Sequence, residues 1–255
     1  MPSYRPNPSG VHFLSAPRVI RGLISSAGLR AGDLVIDFGA GPGTITGPLT
    51  ETGSRVLAVE RDESFVRQLT RRFGDNPLVR IVPGDVRTVT LPRKDFAVVA
   101  SIPYAVSTPL LRRLLTAPHR ALSGADLVVE WGFAKRVAAA RTQETAWWAT
   151  RFELRVAGRV PAACFRPVPR VDSAHLVIRR REDVHQRAIW ALLDAAYRTP
   201  GQRVGRSLNH LVTHRQLKAS TVDPSASAPE VPVRAWIELS KVVTHAPPLP
   251  KRLIR

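Results

Sequence analysis

The sequence predicts an α/β fold, with a doubly wound domain on a mainly parallel sheet, an antiparallel last strand, and a small C-terminal α-helical domain. Three observations carry this. Short apolar runs alternate with helical periodicities from Pro17 to Arg141, the first run ends in a glycine turn, and beyond Arg181 the chain becomes helical in period and strongly basic. Met1–Gly10 is rich in Pro, Ser and Gly and reads as an irregular arm. Pro17–Ala27 places Val19, Ile20, Leu23 and Ile24 at helical spacing behind a first-turn proline, and Gly28 supplies the stop. Leu34–Phe38 is a buried strand running into Gly39–Gly43, with a helix expected from near Thr44. Val56–Glu60 is the second strand, and Glu63–Phe73 a helix with Val66, Leu69 and Phe73 on one face. Strands at Val79–Val82, Phe96–Ala100 and Leu127–Val129 continue the sheet, with helices near Thr108–Leu115 and Phe133–Arg141. Phe152–Val160 and Ala174–Arg180 are β-prone and close the sheet as an antiparallel hairpin, so this domain is expected over 1–181. The rest, 182–255, reads as a small helical domain: Val184–Leu217 helical and basic, Asp223–Pro229 a linker or long loop, Val233–Val243 one more short helix.

The 255 residues, 44% of them apolar, can build one good core and a minor appendage. No run reaches the roughly 18 uncharged apolar residues of a spanning helix, and Met1–Pro6 lacks a signal peptide's apolar centre, so a cytoplasmic protein without a membrane partner is expected. A single cysteine, Cys164, excludes an internal disulfide and a cysteine-cluster zinc site, and reads as a small core residue. The histidines lack metal-ligand spacing, so no metal is assigned. A net charge of +18 makes nucleic acid the first partner to expect, against the plainer reading of a solvated basic surface. Charge alone does not choose between RNA and DNA.

Asp37-Phe38-Gly39-Ala40-Gly41-Pro42-Gly43 stands where a first parallel strand meets a helix, and glycines there let the backbone approach a ligand closely. Glu60, ending the second strand, is placed to accept hydrogen bonds from a ribose. Together they indicate a cofactor containing adenosine. The spacing is Gly-x-Gly-x-Gly rather than the Gly-x-Gly-x-x-Gly that seats a pyrophosphate, which suits S-adenosyl-L-methionine, a cofactor without phosphate. Asp85, in Gly84-Asp85 after the third strand, is placed to bond the exocyclic amine of the cofactor's adenine.

Ser101-Ile102-Pro103-Tyr104 follows the fourth strand, in the order and position of a methyl-acceptor site. A purine amine is a poor nucleophile because its lone pair is delocalised into the ring. Two acceptors aimed at its hydrogens, the Ser101 hydroxyl and the Ile102 carbonyl, would draw the nitrogen toward tetrahedral geometry. Tyr104 can then stack on the flipped base. The sulfonium is already a strong electrophile, so in-line positioning supplies most of the catalysis.

Taken together, these blocks resemble the Erm family of rRNA adenine-N6 methyltransferases and the related dimethyladenosine rRNA methyltransferases. Gly10-Val11-His12-Phe13-Leu14 is similar to the family's opening Gly-Gln-Asn-Phe-Leu, and Val35–Thr44, Val59–Asp62, Gly84-Asp85 and Phe165–Ala174 resemble further blocks in family order. The resemblance implies a Rossmann-like class I methyltransferase fold, S-adenosyl-L-methionine as cofactor, and N6-methylated adenine in 23S rRNA as product, with macrolide-lincosamide-streptogramin resistance as the outcome. It places His12, Leu14, Gly39, Gly41, Gly43, Glu60, Asp85 and Ser101 at the cofactor and Ser101, Ile102, Pro103 and Tyr104 at the reacting base. It also implies a monomer acting on 23S rRNA, naked or in an assembly intermediate, with the helical tail flanking the RNA.

Two departures stand out: Ser101 replaces the usual Asn, and Val11-His12 replaces Gln-Asn, leaving His12 either a cofactor contact or a packing residue. Arg198, Arg203, Arg206 and Arg215 are the expected phosphate contacts, with Arg112, Arg113 and Lys135 as the alternative surface. Trp147-Trp148, near Arg141 and Arg151, reads as base-stacking aromatics or, more simply, as core. Two other functions fit parts of the pattern. One is a non-catalytic or biogenesis-type rRNA-binding factor; the other is a DNA amino-methyltransferase, against which Ile102 and the Phe165–Ala174 block argue.

Overall fold

The computed structural model describes residues 12–116 and 121–254; the expected arm at Met1–Gly10, and Val11, lie outside them. The chain forms two compact units. The first comprises the chain through Leu114, His119–Ala134 and Arg155–Ile178, and the second Leu115–Pro118, Lys135–Leu154 and Arg179–Arg255.

In chain order the strands are β1 (Phe13–Leu14), β2 (Leu34–Phe38), β3 (Arg55–Glu60), β4 (Val79–Pro83), β5 (Phe96–Ser101), β6 (Leu122–Glu130), β7 (Phe152–Val160), β8 (Phe165–Arg166) and β9 (Ser173–Arg180). Seven of them form one sheet in the order β4-β3-β2-β5-β6-β9-β7. Within it β2 runs parallel to β3 and to β5, β3 parallel to β4, and β5 parallel to β6. The predicted α/β class and its mainly parallel sheet are therefore present. Strand order reverses at β2, whose successors lie on both of its sides, and such a switch point opens a crevice at the carboxyl ends of the strands.

The helices of the first unit are α1 (Pro17–Ala27), α2 (Thr46–Thr50), α3 (Glu63–Phe73) and α4 (Ser107–Leu115), with α5 (Trp131–Ala139) beginning there. Helix α1 starts on Pro17 and ends on Gly28 in the left-handed conformation, as the sequence predicted. It buries Ile20 and Leu23 against Val35, Val99 and Val128 of the sheet. Helix α2 begins two residues after the expected Thr44, and β6 is longer than the expected Leu127–Val129: Ser123 and Gly124 break the apolar run, yet pairing with β5 resumes at Gly124 past an irregularity at Ser123. The pair β1–β8 was not predicted: two-residue strands carry no periodicity, and only their antiparallel pairing, Phe13 with Arg166 and Leu14 with Phe165, defines them.

In the second unit α6 (Gln143–Arg151), α7 (Gln186–Tyr197) and α10 (Val233–Ser240) pack together, with α8 (Val204–Ser207), α9 (His214–Ala219) and α11 (Lys251–Ile254) completing it. Val184–Leu217 is not one helical stretch. Pro200 and Gly201 end α7, since proline disfavours helix at the residue before it and offers no N–H of its own. Asp223–Pro229 is a packed loop rather than a spacer: Val204 N donates to Ala226 O (2.9 Å), Gly205 N to Pro224 O (3.0 Å), and Ala228 is buried.

Sequence reasoning missed α6, although a capping box joins Thr142 to Thr145 at its start. That helix buries Trp147 and Trp148, whose indole N–H groups donate to the carbonyl (3.0 Å) and hydroxyl (3.1 Å) of Thr116. Both rings are core, and neither is open to a base. No helix among the described residues is long and apolar enough to cross a membrane.

Candidate active site

The glycine turn leaves β2 at the switch point. Gly39, Gly41 and Gly43 all have positive φ (71°, 52° and 82°), a region costly for residues with a Cβ. Each glycine also faces a neighbour. A Cβ on Gly39 would stand 3.5 Å from Pro103, one on Gly41 would clash with the Phe13 ring at 2.7 Å, and one on Gly43 with Phe73 of α3 at 2.6 Å. The third glycine therefore serves helix packing, while the first brings the turn directly against the Ser101–Tyr104 segment.

Glu60, at the end of β3, is buried and braces the same turn. Oε2 accepts from Gly41 N (2.9 Å), and Oε1 from Arg61 N (2.8 Å) and Asp62 N (2.9 Å). Each oxygen has two lone pairs, so Oε2 retains one for a ribose hydroxyl. Beneath the turn, Asp37 is 1% exposed and accepts the Thr46 hydroxyl at 2.7 Å. Burial pushes its carboxyl up to about 7, against the hydrogen bond from Thr46, and the nearby Glu60 charge raises it further. Leu14 buries its side chain in the core beside Leu23 and Phe165, so that side chain contributes packing.

Asp85 is occupied by its neighbour. Arg87 donates Nε to both carboxylate oxygens (2.9 and 3.0 Å) and Nη2 to Oδ2 (2.6 Å), and its main-chain N adds a bond to Oδ1 (2.8 Å). These bonds hold the Asp85 carboxyl down at about 2, fully ionised at neutral pH. Arg113 of α4 donates to the carbonyls of Val86 and Val89 and so fixes the loop that carries Asp85. Its guanidinium is partly buried by that task, while its neighbour Arg112 is exposed.

Ser101 ends β5, and Ile102 N continues the ladder onto Val128 O (2.9 Å). Among the described residues, neither the Ser101 hydroxyl nor the Ile102 carbonyl has a hydrogen-bond partner, so the two acceptors needed for an amine are available side by side. Tyr104 is half-buried, and its hydroxyl shares a hydrogen bond with Ser173 Oγ (2.8 Å). Burial holds the phenol above its ordinary pKa, keeping it neutral. His12 Nδ1 donates to Pro167 O (2.8 Å), and its ring centroid lies 6.4 Å from that of Tyr104. His12 thus stands beside the expected acceptor residue. Cys164 is half-buried at the edge of the core, and its carbonyl accepts from Ser15 N (2.8 Å).

Of the expected RNA contacts, Arg112 and Arg113 belong to the first unit, and Lys135, Arg198, Arg203, Arg206 and Arg215 to the second. Arg198 pairs with Asp194 (3.1 Å). Arg203, Arg206 and Arg215 are exposed, with no acidic partner among the described residues.

The sequence blocks and this geometry have counterparts. The rRNA adenine N-6-methyltransferase of Bacillus licheniformis is 32% identical over 220 residues, 84% of this chain and 77% of that protein. The ribosomal RNA small subunit methyltransferase A of Gloeobacter violaceus is 32% identical over 247 residues, 91% of this chain and 90% of that protein. In structure, the 23S rRNA methyltransferase ErmE superposes with a TM-score of 0.81 at 23% identity, over 91% of this chain and all of that one, and it shares this Rossmann-like methyltransferase fold. The family profile described as ribosomal RNA adenine dimethylase matches residues 7–245, and the chain belongs to that family.

Proposed function

We propose that this protein transfers a methyl group from S-adenosyl-L-methionine to N6 of an adenine in 23S rRNA and so protects its host from macrolide-type antibiotics. One observation carries the catalytic part: the glycine turn and the Ser101–Tyr104 segment meet at the switch point, with two unengaged acceptors beside an immobilised aromatic ring. The donor fits the residues present, since the turn favours glycine at Gly39 by its positive φ and at Gly41 by both φ and space, and Glu60 keeps an acceptor for a ribose. When bound, S-adenosyl-L-methionine supplies a methyl on a sulfonium, an electrophile needing no activation.

Everything else falls to the chain. Glu60 would hold the ribose and Asp85 the adenine amine of the cofactor, with Arg87 yielding one position on its carboxylate. The Ser101 hydroxyl and the Ile102 carbonyl would accept the two N6 hydrogens of the target, freeing the nitrogen lone pair. Tyr104, kept from rotating by Ser173, would stack on the base. Replacing Tyr104 by Ala is expected to lower the methylation rate at subsaturating RNA by roughly 5- to 150-fold, since a stacked base is worth about 1–3 kcal/mol. Affinity for the cofactor should stay at the parental value in the same preparation, as measured by calorimetry. A parental rate would remove Tyr104 from the acceptor site.

The choice of 23S rRNA rests on the Erm-like blocks. A 16S target is the second reading, favoured by the similarity to a small subunit methyltransferase over nine-tenths of both chains. Primer extension on both rRNAs, from cells with and without the gene, decides between them, and macrolide susceptibility of the same cells tests protection.

We also infer that the protein works as a cytoplasmic monomer and that 182–255 is its RNA-binding domain, with Arg203, Arg206 and Arg215 on phosphates. The double substitution Arg203→Gln with Arg206→Gln should weaken binding to an rRNA fragment. It should also flatten the slope of log affinity against log salt by about 0.7–0.9 per lost contact. An unaltered slope in a folded variant would take Arg203 and Arg206 off the phosphates.

A further inference from the structure

Among the described residues only three large apolar side chains are exposed, and two of them, Val168 (47%) and Val171 (46%), lie on one short loop. Isolated exposed valines are ordinary, whereas a pair on a rigidly held loop at the mouth of a site calls for a partner. This loop is held throughout. Phe165 and Arg166 pair with Phe13 and Leu14, and the Pro167 carbonyl accepts from His12. Pro169, between the two valines, is buried. Asp172 Oδ1 accepts from Ala162 N (2.7 Å), its Oδ2 from Arg159, and its carbonyl from Trp131 N (3.0 Å). Ser173 closes the loop on the Tyr104 hydroxyl. The apolar tips are therefore presented outward on a backbone that two prolines and these bonds have already ordered.

We propose that Val168 and Val171 form an apolar wedge that enters the rRNA base stack beside the adenine held on Tyr104, occupying the gap that base leaves. The inference rests on the proposed reading of Tyr104 as the acceptor platform. Chain length supports it: Val171 is two residues from Ser173, which holds the Tyr104 hydroxyl, so it stands at most about 7 Å of extended chain from that contact, about two base steps at ~3.4 Å each. Charge supports RNA as the occupant, because Arg166 and Arg170, both exposed, stand beside the valines along the chain as cations suited to the flanking phosphates. Apolar wedges of this kind compensate the unstacking that base extrusion requires. The β-branched side chains are stiff, so little rotamer freedom is lost on insertion.

The test is the double substitution Val168→Ser with Val171→Ser. Both side chains are exposed and neither is among the residues expected at the cofactor, so near-UV circular dichroism and affinity for S-adenosyl-L-methionine should match the parent. The probe is the rRNA stem that primer extension marks as methylated, synthesised with 2-aminopurine at the marked adenine, alongside the same strand unpaired. The parent should raise 2-aminopurine fluorescence in the stem, and the variant should lose most of that rise. With adenine restored, the variant's kcat/KM on the stem should fall by about 10-fold or more, the scale of one lost base contact. On the unpaired strand, whose base is already extruded, it should stay near parental. Unchanged fluorescence, or an equal loss of rate on both RNAs, overturns the wedge. A parent that methylates the stem without any fluorescence rise overturns it too, and leaves the methyltransferase reading standing. Failure of the parent to methylate either RNA would count against that reading instead.

Discussion

Replacing Glu60 by Ala is expected to weaken S-adenosyl-L-methionine binding by roughly 10- to 150-fold, the equivalent of one charge-assisted hydrogen bond of about 1.5–3 kcal/mol. The upper end is the expectation here, for a structural reason. The same carboxylate accepts the N–H groups of Gly41, Arg61 and Asp62, so its loss removes the ribose acceptor and also releases the turn that the cofactor must lie against. Glu60→Gln separates the two effects. Its amide oxygen can keep the bonds to Arg61 and Asp62, but its NH2 would face Gly41 N, donor against donor. Calorimetry should rank affinity as parent, then Gln, then Ala. Parental affinity in a folded Ala variant would remove Glu60 from the cofactor site, and an equal loss in both would show that bracing the turn contributes little.

The second large effect concerns stability. Arg151, at the end of α6, is 2% exposed, and its Nη1 donates to the carbonyls of Leu115 (2.6 Å) and Thr116 (3.1 Å). The guanidinium lies 4.7 Å from the Trp147 ring centroid and 5.5 Å from that of Phe152. Burial, with the charge of Arg180 nearby, holds its pKa down at about 10, so it stays charged at neutral pH. Arg151→Ala takes the donor from the Leu115 carbonyl, leaves the Thr116 carbonyl with the Trp147 indole alone, opens a hole between aromatic rings, and should cost about 3–5 kcal/mol in denaturant unfolding. Arg151→Lys retains the charge but not the planar stacking or the forked donors, and should recover only part of that loss. A loss below about 1 kcal/mol for Ala, the usual range of a surface site, would show that the carbonyls find other partners.

Most of the first unit was legible in the sequence because its signals are local. The run Leu34–Phe38 followed by Gly39–Gly43 identifies strand and turn from neighbouring residues alone, and Pro17 with Gly28 brackets α1. What was missed lacks such a signal. In α6 the paired tryptophans looked like possible base contacts, since burial on all sides leaves no polar face for a helical period to show. The break in the basic tail was readable at Thr199-Pro200-Gly201 but was outweighed by the helical period around it. At the candidate site, Asp85 was readable from Gly84-Asp85, while its capture by Arg87 depends on a side-chain rotamer that sequence order does not specify.

The sequence by itself determined the α/β class, the order of the glycine turn, Glu60, Asp85 and Ser101–Tyr104 along the chain, and the basic character of the tail, because strand period, glycine conformation and charge are properties of adjacent residues. Tertiary structure alone decided which of these meet. It set Gly39 against Pro103, locked Tyr104 to Ser173, and paired Phe13-Leu14 with Phe165-Arg166 across some 150 residues of chain. Closing such a loop costs entropy that no nearby residue offsets. The contact forms only because the assembled sheet holds both ends in place, and so it leaves no local pattern to read.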